Sequence, residues 1–167
     1  MVALRTFAFA AVLLLETLPG FVATAVAQQP ELLEAPRAFA FSARLIDPTT
    51  VEARFAVAKG YYLYRDKLLF SVEPGALAGP VVLPPGIPKE DQFFGKVETY
   101  RGEVVVRLPL AAAASGTLTL TVESQGCADL GVCYPPQRQR LTLPVPSPGH
   151  GAGPLVEATP AKRSWFQ

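Results

Sequence analysis

Histidine, methionine and cysteine are almost missing from this 167-residue chain, which has one His, one Met (the first residue) and two Cys. The lone His150 lies in a Gly/Pro-rich stretch that gives it no fixed geometry and is read as solvated tail. Nucleophilic triads and His-based metal sites therefore lack a partner residue. Two thiols are also half of what a structural zinc site needs. With no thioether or imidazole placed near them, a metal-chaperone reading is weak, and no metal and no cofactor is expected. Net charge is scarce too: 15 Lys+Arg against 14 Asp+Glu gives +1, with none of the basic excess that nucleic acid would require. No glycine motif of the phosphate-cradling kind is present. Helical periodicity with caps is absent, and Ala111–Ala114 allows one turn at most. There is no internal repeat.

The one long apolar run is at the start. Arg5 precedes the nine-residue run Phe7–Leu15, and Ala25-Val26-Ala27 has the small-x-small pattern of a cleavage site, so residues 1–27 read as a secretory signal. The run is short for a bilayer span and Glu16 follows it directly. Cleavage after Ala27 would leave 140 residues of 167, enough for one domain with a real core, and the expected location is the periplasm. Export also places the two cysteines where a disulfide persists. No association signal stands out, and a monomer is expected.

Period-two alternation dominates the rest. Phe39, Phe41, Ala43 and Leu45 share one face of a strand starting near Arg37, and Val51, Ala53, Phe55 and Val57 share one face of the next. Tyr61–Arg65 and Lys67–Val72 are short and rich in strand formers. Four prolines between Pro80 and Pro88 restrict that region to loop or edge strand. Val104–Leu110, Thr117–Val122 and Arg138–Val145 are further strands, and Val97–Tyr100 could pair briefly. Seven to nine strands at roughly ten-residue spacing predict an all-β antiparallel sandwich over 37–146. Residues 28–36 form a polar lead and 147–167 a flexible tail rich in Gly and Pro.

Gly126-Cys127-Ala128-Asp129-Leu130-Gly131-Val132-Cys133-Tyr134-Pro135-Pro136 holds both cysteines, with five residues between them. That spacing is too long for Cys-x-x-Cys, and a disulfide is the natural reading. Closing so small a ring stabilises a chain by roughly 2 kcal/mol, against about 3 for a fifteen-residue loop. The bridge is thus a poor staple for a domain of this size and is better placed as a switch on a hairpin. Gly126 and Gly131 favour tight turns, Pro135-Pro136 stop the strand, and Tyr134 could shield a sulfur. A passive bridge in an exported binding module fits the same residues. Asp91-Gln92-Phe93-Phe94-Gly95 puts two phenylalanines in a polar loop, so at least one needs an apolar resting place: the disulfide or the core. The tyrosines of Tyr61-Tyr62-Leu63-Tyr64 are either ordinary strand residues or partly lining for the cysteines, and Asp91 could pair with Asp129.

Taken together, these motifs resemble the N-terminal periplasmic domain of the thiol:disulfide interchange protein DsbD. The cysteine hairpin matches its active-site hairpin, Gly60–Arg65 its tyrosine-rich strand and Asp91–Gly95 its cap loop, in order and over about Arg37–Val145. The resemblance implies an immunoglobulin-like fold and a domain that takes electrons from a thioredoxin-like carrier and passes them to oxidised periplasmic partners. It implies Cys133 as the residue that forms the mixed disulfide, Cys127 as the resolving cysteine, Phe93 (with Phe94 beside it) as the cap, and Tyr62, Tyr64, Asp91 and Asp129 around the pair. Gln92 stands where the family commonly has an acid, which weakens proton transfer there. The chain ends at Gln167 without the family's membrane core and C-terminal domain, implying either a stand-alone relative served by a separate membrane electron carrier or a fragment.

Overall fold

The structure is a computed structural model that describes residues 31–147 and 149–158. The expected signal lies outside the described residues. The folded unit begins at Leu32.

Strands β1 (Phe39–Asp47) and β2 (Thr50–Val57) pair antiparallel around an Asp47–Thr50 turn, in which the Asp47 side chain accepts from the Thr49 amide and hydroxyl. Their alternation is as expected: Phe39, Phe41, Ala43 and Leu45 are buried, and so are Val51, Ala53, Phe55 and Val57. Phe41 and Phe55 are cross-strand partners with ring centres 4.7 Å apart. β7 (Gly102–Pro109) extends this sheet beside β2. A second sheet has β8 (Thr117–Ser124) between β4 (Leu69–Glu73) and β10 (Gln137–Pro144). Leu118, Leu120, Val122, Leu141, Leu143 and Val72 from it join the first sheet's apolar face in one continuous core.

The third sheet carries Tyr62, Tyr64 and Cys127. Its order is β5 (Ile87–Asp91), β6 (Gly95–Tyr100), β3 (Tyr61–Tyr64), β9 (Gly126–Ala128). The proline-rich stretch resolves into loop and then the edge strand β5, where Pro88 needs no ladder partner on its open side.

Two expectations at the ends of the domain need correction. Residues 35–38, assigned to the lead and the start of the first strand, form a single helical turn, α1 (Ala35–Ala38), with Pro36 in its first turn where no amide donor is needed. Ala111–Ala114, allowed one helical turn at most, forms none; its amides at 111 and 114 donate to the carbonyls of Ala76 and Pro48. The stretch read as tail contains β11 (Val156–Glu157), paired with β1 at Ala43 and Ser42. Gly153 N donates to Leu45 O and Ala158 N to Phe41 O alongside it. The open edge of β1 supplies backbone donors and acceptors that any sequence can pair with, so no side-chain pattern announces this strand. His150 is exposed in the connection.

Gly126 was expected to serve a turn, but its φ is not positive. It is required by close approach: a Cβ there would lie 2.3 Å from Tyr62 O and 2.7 Å from two atoms of the Phe39 ring. Gly126→Ala should therefore lower stability by about 1–3 kcal/mol through overpacking. Chemical denaturation would show this as a lower midpoint, and an unchanged midpoint would contradict the close approach.

Candidate functional site

Alternation along β3 separates its four residues into two environments. Tyr61 and Leu63 enter the main core, whereas Tyr62 and Tyr64 form a second cluster with Cys127, against which Val97 and Cys133 pack. β9 is placed by pairing Tyr62 with Cys127 and Leu63 with Gly126. The chain then turns back on itself: Gly131 N donates to Ala128 O, Ala128 N to Val132 O and Tyr134 N to Gly126 O. Gly131 takes a φ of +83°, a conformation a side chain would oppose. Cys127 and Cys133 face each other across this hairpin, 4.0 Å apart at Cα and joined as a disulfide. Cys127 is fully buried and Cys133 half-buried.

Tyr64, itself fully buried, places its hydroxyl 3.2 Å from Cys127 Sγ and 3.9 Å from Cys133 Sγ. Burial, with Tyr62 and Asp91 nearby, pushes its pKa well above the ordinary phenol value. It is thus a neutral phenol at physiological pH, able to donate toward a sulfur that acquires charge. Its ring meets Tyr62 edge-on at 5.5 Å and Phe94 at 5.0 Å. Lys67 Nζ stands 4.9 Å from the centre of the Phe94 ring.

The Asp91 carboxylate organises the loop above. Oδ2 accepts from the Tyr62 hydroxyl at 3.0 Å and lies 3.5 Å from Lys89 Nζ. Oδ1 accepts from the amides of Phe93 (2.9 Å) and Phe94 (3.3 Å), an Asx turn that Gly95 completes at φ +70°. Burial raises the carboxyl's pKa, but the Phe93 amide, the Tyr64 and Tyr62 phenols and the Phe94 amide outweigh it and bring the value to about 2. Tyr62 is flanked by two cations, Lys89 Nζ at 4.9 Å and Arg101 Cζ at 5.2 Å from its ring centre. A cleft of about 320 Å³ opens beside the hairpin, lined in part by Tyr62, Lys89, Gln92 and Asp129.

The structure gathers Cys127, Cys133, Tyr62, Tyr64, Asp91 and Phe94 into one site. Asp129 sits on the hairpin but pairs with Arg101, not with Asp91. Phe93 is 59 % exposed, and the ring packed on Tyr64 is that of Phe94. Tyr134 packs its ring on Phe39 and Tyr61 instead of covering a sulfur, and its hydroxyl donates to Leu33 O. Lys67, Lys89 and Arg101 were not among the sequence candidates. Lys89 had a readable signal, because two residues before Asp91 on a strand is the same face; Lys67 and Arg101 had none.

The family model for the N-terminal part of the thiol:disulfide interchange protein DsbD matches residues 29–144. The chain belongs to this family. It is similar to DsbD of Ralstonia nicotianae, with 46% identity over 132 residues, covering 77% of this chain and 22% of that one. DsbD 1 of Pseudomonas aeruginosa is 41% identical over 130 residues, 74% of this chain and 22% of the relative. The chain thus spans about a fifth of the length of these curated relatives. Among solved structures, it is similar to the reduced DsbD N-terminal domain of Neisseria meningitidis, with a TM-score of 0.65, 31% identity, and 77% of this chain and 96% of that one covered. A complex between the DsbD N-terminal and PilB N-terminal domains of the same organism matches with a TM-score of 0.59 and 35% identity over 67% of this chain and 87% of that one. The fold is accordingly the immunoglobulin-like sandwich of the DsbD N-terminal domain, and the matched span runs from before α1 through the end of β10.

A carboxyl whose folded pKa is lowered to about 2 stabilises the fold above its unfolded value of 3.8 and loses that contribution as pH falls through about 2. The shift corresponds to about 2 kcal/mol. Asp91→Asn should therefore be less stable than the parent at pH 7, and the gap should close between pH ~4 and ~2. Urea unfolding across that range checks it; a gap independent of pH would contradict the assignment.

Proposed function

We propose that this chain is a thiol–disulfide exchange domain that relays reducing equivalents from a thioredoxin-like or membrane electron carrier to oxidised protein partners through Cys127 and Cys133. The supporting observation is the asymmetry of the pair: one sulfur fully buried beside a neutral phenol, the other at the half-exposed end of a hairpin. An incoming thiolate reaches Cys133. Its sulfur bonds to Cys133 Sγ, and the Cys127 sulfur leaves with the electron pair of the old bond. Tyr64 donates to the thiolate formed there, which lowers the cost of an anion in a buried place. A second thiol of the carrier then attacks the mixed disulfide, releasing the carrier's own disulfide and leaving Cys133 as thiolate. The reverse sequence hands the two electrons to an oxidised partner.

The Phe93-Phe94 loop is the cap of this scheme, shielding the pair from stray thiols and lifted by docking. Asp91 ties the loop down through the two phenylalanine amides. The family membership, and the complex formed by the Neisseria DsbD N-terminal domain with the PilB N-terminal domain, support a protein partner. The apolar run and small-x-small pattern of residues 1–27 support a periplasmic location.

A Cys127→Ala variant should trap a mixed disulfide with an oxidised thioredoxin-like protein through Cys133, and Phe94→Ala, which removes the ring packed on Tyr64, should speed the trapping in that background. Cys133→Ala should trap little, because its remaining thiol is buried. Mass spectrometry of the adducts distinguishes these cases, and equal trapping by the two single-cysteine variants would overturn the assigned roles.

A further inference from the structure

Arg101, the single residue between β6 and β7, holds the redox loop from outside the ring that the disulfide closes. Its Nη2 donates to Asp129 Oδ1 at 2.6 Å and its Nη1 to Asp129 Oδ2 at 3.0 Å, a two-pronged contact with a residue between the cysteines. Nη1 also donates to the Tyr61 carbonyl at 3.1 Å, and the guanidinium carbon lies 5.2 Å from the centre of the Tyr62 ring. The Asp129 amide meanwhile donates to Gly60 O at 2.8 Å. The Arg101 and Asp129 side chains are 40% and 46% exposed. A simple ion pair at such exposure would contribute little. The planar fork differs, because it engages both carboxylate oxygens, a backbone carbonyl of β3 and an aromatic face at once. None of these contacts passes through the sulfur–sulfur bond, so none is broken when that bond opens. The same Tyr62 donates to Asp91, whose other oxygen accepts from the Phe93 and Phe94 amides. A continuous chain of contacts thus runs from the cysteine loop to the aromatic loop.

We propose that Arg101 is a positioning residue for disulfide exchange: through Asp129 and β3 it keeps the opened cysteine loop in its closed-state place, so that Cys127 stays within reach of the Cys133 sulfur. The inference rests on the exchange function proposed above. Reduction by glutathione balances as two glutathione thiols giving one glutathione disulfide, while the protein disulfide takes up two electrons and two protons. The equilibrium constant of that reaction reports the effective concentration of one protein thiol at the other.

Arg101→Gln should shift the equilibrium about three- to tenfold toward the dithiol, where tenfold is about 30 mV for a two-electron couple. Asp129→Asn should shift it similarly, Arg101→Lys less, and the double variant Arg101→Gln/Asp129→Asn no further than the larger single shift, because both remove one interaction. A purely structural role would lower the melting temperature of the oxidised and reduced forms alike and leave the constant unmoved. Constants for Arg101→Gln and Asp129→Asn within twofold of the parent, or shifts that add in the double variant, would overturn the proposal. If Arg101→Gln does not fold, Asp129→Asn and Arg101→Lys decide the question in the same assay. Failure of the parent's cysteines to exchange with any thioredoxin-like protein would instead remove the proposed function, and the glutathione constants would still report on Arg101.

Discussion

Three rungs of ladder, Tyr61 against Ala128, Tyr62 against Cys127 and Leu63 against Gly126, lay β9 along β3. They can form only because position 126 has no side chain to meet the Tyr62 carbonyl and the Phe39 ring. From that pairing the rest of the site follows. It puts Cys127 on the same face as Tyr62 and Tyr64, brings the Tyr64 hydroxyl to 3.2 Å from the sulfur, and leaves the returning arm of the hairpin to carry Cys133 toward solvent. The main core supports the arrangement from the other face of β3, where Tyr61 and Leu63 are anchored. One strand thus serves the sandwich with one side and the cysteine pair with the other.

The charges around the pair are arranged so that each is matched. Asp91 is buried and ionised, held by two amides, a phenol and Lys89. Tyr64 is buried and neutral. An anion that appears on a sulfur therefore meets a neutral donor, and Asp91's charge is already committed to the loop it ties down. Lys89 and Arg101 both stand over the Tyr62 ring, and each is paired with a carboxylate, Asp91 and Asp129 respectively. The loop bearing Phe93 and Phe94 rests on this network, so displacing it asks for the loss of hydrogen bonds to Asp91 as well as of a ring contact with Tyr64.

Much of this was legible in the residues. Alternation from Phe39 to Leu45 and from Val51 to Val57 predicted β1 and β2, because a half-buried strand imposes period two on its side chains. The cysteine hairpin, the tyrosine strand and the aromatic loop stood out as motifs, and the fold brings them into contact. What the residues did not show were contacts set by backbone or by distant sequence. β11 pairs through main-chain groups and carries no pattern. Tyr134, beside Cys133 in sequence, turns to Leu33 and Phe39 because its ring finds the core there. Arg101 is separated from Asp129 by 28 positions, and only the fold makes them neighbours. Gly126 looked like a turn glycine, and its real constraint is a carbonyl and a ring from two other strands.

The central claim is that the Cys127–Cys133 bridge exchanges and does not merely staple, and its reduction potential tests that most directly. Equilibration of the parent protein with a glutathione or thioredoxin couple should place the pair between about −270 and −120 mV, the range of catalytic dithiols. A potential below about −300 mV, where structural disulfides of secreted proteins lie, would contradict the account.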